Sequence, residues 1–354
     1  MSMKFGIFLP NGSNGYIPSK GSPVYLPTFE HNKQITLEAE RQGLDFVLSM
    51  MKFKGFGGET GYWDACLETF TLMAGLAAVT ERIGLFPTVT VLARHPAVVA
   101  RMVATIDDIS NGRCGLNVVT GWNRPEYTQM GVWPGDDYYG RRYEFAADYL
   151  TLVKRLWTEE SVTYKSPFFD LQDCVVKPRP SRQIPIVCAG QSPAGLAFTA
   201  QHGDHSFIMA EKSALKSACD LMRQEAAKTG RKVGIYALFQ LVLAETDAEA
   251  QTQCEAIVAG ADQGAIANIL ASAALDSNPG GTSDRMLTGL ERSFEDGNLA
   301  FMGMPVIHGS PATVASKIDD IAAETGVDGI LFSMPDFVPS IRMFGEKVMP
   351  KLKC

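Results

Sequence analysis

Short apolar runs alternate along the chain with segments whose apolar positions recur every three or four residues. Eight runs stand out: 4–10, 45–50, 83–92, 114–121, 184–190, 205–209, 232–244 and 329–334. They are apolar throughout, the pattern of strands buried on both faces of a parallel sheet. Between them, residues 94–110 set Val98, Val99, Met102, Val103 and Ile106 on one helical face. Ser310 followed by Pro311 predicts a helix start, with Val314, Ala315, Ile318, Ile321 and Ala322 as its buried stripe. Thr28 predicts a cap for a helix over 29–42, with Ile35, Ala39 and Leu44 turned inward.

Strands that each lead into a helix predict an α/β fold, a TIM-like (β/α)8 barrel with long insertions at its C-terminal face. A doubly wound open sheet is the competing architecture. One domain is expected over 1–354, with an insertion at about 246–308 between strands seven and eight. Residues 246–274 read as helical and 276–285 as loop. Segments 11–27, 51–63 and 158–183 are also long, and long loops on a barrel build its active face.

Composition narrows the class. The chain is 46% hydrophobic and 20% charged, the balance of a soluble globular protein. Its net charge of −7 comes without a basic stripe, which argues against nucleic acid. No apolar stretch reaches the ~18–20 residues that span a bilayer. The opening MSMKFGIFLPNG lacks a signal-peptide pattern. Seven cysteines, an odd number with no CxxC, predict reduced thiols in a cytoplasm.

Candidate chemistry comes next. Histidines 31, 95, 202, 205 and 308 show no metal-ligand spacing, and neither a GxSxG elbow nor a Walker A motif occurs. The stretch VCAGQSPAG (187–195) combines Gly190, Ser192 and Pro193 at a helix start, a place suited to phosphate or simply a plain turn. DDYYGRRYEF (136–145) brings Arg141, Arg142 and Tyr143, which read either as phosphate ligands or as a solvated face. In GLNVVTGWNRPEYTQMG (115–131), Asn117 sits inside an apolar run and Trp122 at its exit. Met51, Lys52 and Lys54 follow the second strand. A pocket of Leu48, Met51, Phe86 and Trp122, edged by Thr88 and Asn117, suits a flat, polar-edged ring with a phosphate. With no strong acid or base among these residues, a cofactor should carry the reactivity, and flavin mononucleotide (FMN) fits.

Three stretches carry a resemblance: LSMMKFKGFGGETGYWD (48–64), ETFTLMAGLAAVT (68–80) and ARMVATIDDISNGRCGLNVVTGWNRPEYTQMGVWPGDDYYGRRYE (100–144). With the NVVTGW and AGQS motifs, they resemble the bacterial luciferase-like, reduced-flavin-dependent monooxygenases, most strongly over 4–204. The resemblance implies a TIM-like barrel and FMN contacts from Met51, Lys52, Asn117, Glu126, Arg142, Tyr143 and Ser192. It implies a small dioxygen pocket of Leu48, Thr88, Asn117 and Trp122, with Thr88 and Asn117 hydrogen-bonding to oxygen. A separate NAD(P)H-dependent flavin reductase would supply reduced FMN, and a homo-oligomer is expected.

The implied reaction is oxidative cleavage of a C–N bond in an N-heterocycle such as uracil. Departures from the family pattern at 209–224, 300–310 (with His308) and LARHP (92–96) leave other readings open. One is a riboflavin lyase that splits riboflavin to lumichrome; another is a non-catalytic flavin binder. His95 is read either as a helix start or as a substrate contact.

Overall fold

The computed structural model describes residues 3–210, 212–277, 283–284, 287 and 293–354. Its strands are β1 (Lys4–Leu9), β2 (Phe46–Ser49), β3 (Gly84–Phe86), β4 (Thr88–Thr90), β5 (Leu116–Val119), β6 (Val162–Lys165), β7 (Asp170–Cys174), β8 (Ile186–Cys188), β9 (His205–Ile208), β10 (Gly234–Leu243), β11 (Val306–Gly309) and β12 (Gly329–Ser333). The main sheet runs β3-β2-β1-β12-β10-β9-β8-β5-β4. Every pairing along it is parallel. β3 and β4 are the halves of one run interrupted at Pro87, which has no N–H to offer a ladder. A Leu85–Cys114 bridge joins β3 to the start of the β5 run, so the sheet closes on itself as a barrel.

The apolar runs form this ring because both their faces are covered. Outward residues such as Ile7, Val47, Leu85, Leu116 and Ile330 pack against the helices. Inward residues Phe46, Leu48, Val187, Phe207, Tyr236 and Leu331 fill the barrel floor. The helices start where expected. Thr28 Oγ1 accepts from His31 N at 3.1 Å, and Ser310 caps a helix opening at Pro311. The helix Pro96–Ile109 buries Val99, Val103 and Ile106, but Val98 is 51% exposed. Its buried stripe is centred one position further on, so Val98 falls outside it.

Two features were not expected. β6 and β7 form a separate antiparallel hairpin within the long segment before β8. β11 pairs Gln240–Leu243 of β10, beyond the Gly234–Ala237 stretch that pairs β9. Helices Asp247–Ala259 and Gln263–Ala273 lie between β10 and β11. Of the loop expected at 276–285, positions 278–282 and 285 lie outside the described residues.

Candidate functional site

A cavity of about 280 Å³ opens above the barrel floor, at the C-terminal ends of the strands. Its inner wall is set by one directional chain of hydrogen bonds. Thr88 Oγ1 donates to the Ser49 carbonyl, which can only accept. Its single proton is thereby used, so Thr88 Oγ1 must accept from Asn117 Nδ2, 2.9 Å away. That fixes the Asn117 amide and leaves its buried Oδ1 without a protein partner. The register brings this about, because Thr88 and Asn117 are directly paired across β4 and β5. Thr88 was expected to offer its hydrogen bond to a ligand; here the hydroxyl proton goes to Ser49 and the residue orients Asn117.

Past β5 the chain turns at Gly121, whose φ of +81° favours glycine. A Cβ there would lie 2.6 Å from the Tyr127 hydroxyl. The turn leads into the short helix Arg124–Thr128, which carries Glu126 back over the cavity. Glu126 Oε2 lies 3.0 Å from Lys52 Nζ, and Oε1 accepts from Phe53 N at 2.7 Å. Both side chains are buried, at 4% and 6% exposure. The Lys52 ammonium also lies 4.3 Å from the Phe56 ring centroid, with Trp63 and Trp122 at 5.5 and 5.6 Å. Burial pushes the Lys52 pKa down, while the Glu126 charge pulls it back up.

A second charged pair lies elsewhere on the same wall. Arg142 Nη1 meets Asp276 Oδ2 at 2.9 Å, with side-chain exposures of 5% and 2%. Ser283 Oγ donates to the same carboxylate at 3.1 Å. Arg142 Nε is buried without a partner. Ser192 caps the helix Pro193–His202 by accepting from Gly195 N at 3.2 Å, and the Tyr143 hydroxyl lies 3.4 Å from Ser192 Oγ. Glycine is required beside Tyr143, since a Cβ on Gly195 would lie 2.6 Å from its hydroxyl.

Of the residues singled out in the sequence, Leu48, Met51, Lys52, Thr88, Asn117, Trp122, Glu126, Arg142 and Tyr143 share this cavity. Ser192 stands just behind Tyr143. Phe86 does not line it; that ring packs in the floor against Phe46, with centroids 5.6 Å apart. Arg141 is exposed and paired with Glu144. His95 is a helix cap that accepts from Ala97 N at 3.3 Å, outside the cavity. His308 sits on β11 and pairs with Glu295 at 2.9 Å. Sequence reasoning missed Asp276, Tyr16, Met50, Trp63, Met302 and Met304, all on the cavity wall. The long loops 11–27 and 51–63 were the available signal for Tyr16 and Trp63. Among the described residues, no cluster of His, Cys, Asp or Glu could hold a metal ion. No helix among them is long and apolar enough to cross a membrane.

A parallel barrel with its cavity at the strand C-termini defines an enzyme scaffold of the TIM type. Residues 3–329 match the luciferase-like monooxygenases, and the chain belongs to that family. It is 45% identical to a pyrimidine monooxygenase RutA of Methylorubrum extorquens over 99% of this chain and 93% of that protein. Solved structures of the same fold include a riboflavin lyase (RcaE), with TM-score 0.84 and 23% identity over 99% of this chain and 91% of the other. EDTA monooxygenase (EmoA) from Chelativorans sp. BNC1 gives TM-score 0.82 and 20% identity, covering 99% and 93%. As a member of the family, the chain is a flavin-dependent monooxygenase.

Proposed function

We propose that this chain uses reduced FMN and dioxygen to cleave a C–N bond in a small N-heterocycle, with a uracil-type pyrimidine as substrate. The observation that carries this reading is one cavity joining two features: a buried arginine, Arg142, whose Nε has no protein partner and suits a phosphate, and a wall where Asn117 holds an orphaned polar atom. The residues fit the cofactor. Arg142 offers an unpaired Nε, Ser192 and Tyr143 offer hydroxyls, and Gly195 leaves the room they need. Met51, Lys52, Asn117 and Glu126 are assigned to the isoalloxazine side. When bound, reduced flavin supplies the electrons that activate dioxygen.

The chain's own residues orient and exclude. Leu48 and Trp122 close an apolar pocket for oxygen, and Asn117, held by Thr88, presents a fixed amide to it. The relative named as a pyrimidine monooxygenase supports the substrate class. A separate NAD(P)H-dependent reductase supplies the reduced FMN.

The test is to supply FMN, a generic flavin reductase, NADH and air, with uracil or riboflavin, and follow each by mass spectrometry. Loss of uracil with a ring-opened product is expected. Conversion of riboflavin to lumichrome with uracil untouched would replace the substrate assignment.

A further inference from the structure

We propose that Tyr138 and Tyr139 are positioning residues for the oxygen pocket: their hydroxyls hold the turn that carries Trp122, from the same helix that carries Arg142 and Tyr143. This rests on the flavin-site reading above and adds to it two residues that lie outside the cavity lining.

The helix Tyr138–Thr158 opens with these two tyrosines, and both are buried. Tyr138 donates its hydroxyl to the Thr120 carbonyl, and Tyr139 donates to the Trp122 carbonyl at 3.2 Å. A carbonyl only accepts, so each phenol spends its one proton there. Burial pushes the Tyr138 phenol up, and burial with the Asp276 charge holds the Tyr139 phenol at about 12, so both stay donors at ordinary pH. The two carbonyls flank Gly121, where the chain turns with φ +81°. Holding both sides of that residue fixes the direction in which the Trp122 side chain leaves the turn. The Trp122 carbonyl also accepts from Arg124 N at 3.1 Å, so the same contact seats the short helix that bears Glu126.

Sequence spacing lets one helix serve both ends of the cavity. Arg142 follows Tyr138 by four residues, and Tyr143 follows Tyr139 by four. Residues four apart lie on one face of a helix, about 6 Å apart along its axis. The first turn thus holds the Trp122 wall, and the second sets Arg142 against Asp276 and Tyr143 against Ser192. Trp133 backs both tyrosine rings, with centroids 5.4 Å from Tyr138 and 5.1 Å from Tyr139. A buried phenol needs an acceptor, and many carbonyls could serve. Neighbouring helix positions diverge by about 100°, yet both hydroxyls converge on one three-residue turn at the cavity wall. The pair therefore serves the turn and not merely its own burial.

The variants are Tyr138→Phe, Tyr139→Phe and the two together, which keep the rings and lose the hydroxyls. FMN affinity would be read by fluorescence titration. Amide hydrogen exchange over 115–131 would be followed by mass spectrometry in the free and the FMN-loaded protein, with the helix Pro96–Ile109 as internal reference. Uracil turnover with a flavin reductase and NADH would be scored as product and as hydrogen peroxide formed per NADH. Dioxygen that delivers no atom to substrate leaves as hydrogen peroxide, carrying the two electrons of NADH and two protons.

FMN affinity should stay within about threefold of wild type in every variant. Exchange over 115–131 should run about tenfold faster in the double variant, with the reference helix unchanged. Product per NADH should fall about threefold or more, and hydrogen peroxide should rise to match. Each single variant should show a smaller change of the same sign, and the singles carry the test if the double variant does not fold. Three results would each overturn the proposal: unchanged exchange over 115–131, exchange raised equally in the reference helix, or faster exchange with the product share unchanged. Absence of FMN binding by the wild type would remove the flavin-site reading, and absence of uracil turnover would remove the substrate reading. In either case the exchange comparison in the free protein still decides whether the two hydroxyls hold the turn.

Discussion

Thr88 has one hydroxyl proton, and Ser49 takes it. Thr88→Val should therefore release Asn117 rather than remove a ligand contact. The change leaves a buried carbonyl and a buried amide short of partners, a loss of about 1–3 kcal/mol that a melting curve will read. Oxidised FMN should still bind within about tenfold of wild type, while product formation falls further. Equal losses in both would mean that the chain of bonds serves only the fold. Arg142 and Asp276 make a second prediction. Asp276→Asn strips the guanidinium of its internal counter-charge, so the free protein should melt lower. A phosphate should then find an unpaired cation. FMN should bind about tenfold more tightly, and riboflavin, lacking phosphate, should be unaffected. Weaker FMN binding would make Asp276 a support for Arg142 instead of its rival. Asn117 was legible in the sequence because an amide inside an apolar run breaks the pattern. Asp276 was not, because it meets Arg142 across 134 residues and nothing local to either marks the encounter.

Elements place these groups, and some of them tolerate no change. The helix Pro193–His202 starts against Tyr143, with Gly195 allowing the approach. Gly195→Ala should push the Tyr143 ring away and lower stability by about 1–3 kcal/mol, as overpacking does. FMN affinity should fall with it; unchanged affinity would move the phosphate site away from this helix. The barrel strands could be read from the sequence because strands covered on both faces stay apolar along their length. Strands without that cover could not. In the β6–β7 hairpin, β7 shows only Leu171 buried among exposed and half-buried neighbours, so no apolar run announces it. β11 is four residues long and includes His308, a buried histidine that pairs with Glu295. The Pro87 break also escaped notice, since the residues on either side keep the apolar run going.

Across the whole molecule, burial lowers the pKa of His31, His95, His202 and His205 alike. The largest effect is at His202, held down to about 4 by burial and by the Lys154 and Arg231 charges. Its position explains why. Lys154 Nζ donates to the His202 carbonyl at 2.7 Å, and Arg231 donates to the Gln201 carbonyl at 2.6 Å. The ring lies against Phe198, with centroids 5.1 Å apart. Asp204, the carboxylate nearby, is engaged by Arg231 at 3.1 Å. In the unfolded chain this imidazole titrates near its ordinary 6.5. Between that value and about 4, the unfolded state takes up a proton that the native state refuses. Stability should therefore be intact above the upper value, fall as pH drops through the window, and lose this contribution fully near the lower one. Two and a half pKa units would give about 3 kcal/mol, and partial solvent screening brings the expectation to about 2 kcal/mol. Urea midpoints measured from neutral pH to about pH 5 should drop steadily in the wild type. His202→Gln cannot take up the proton, so its midpoints should drop less over the same range. Identical slopes for the two proteins would place the acid sensitivity in the carboxylates instead.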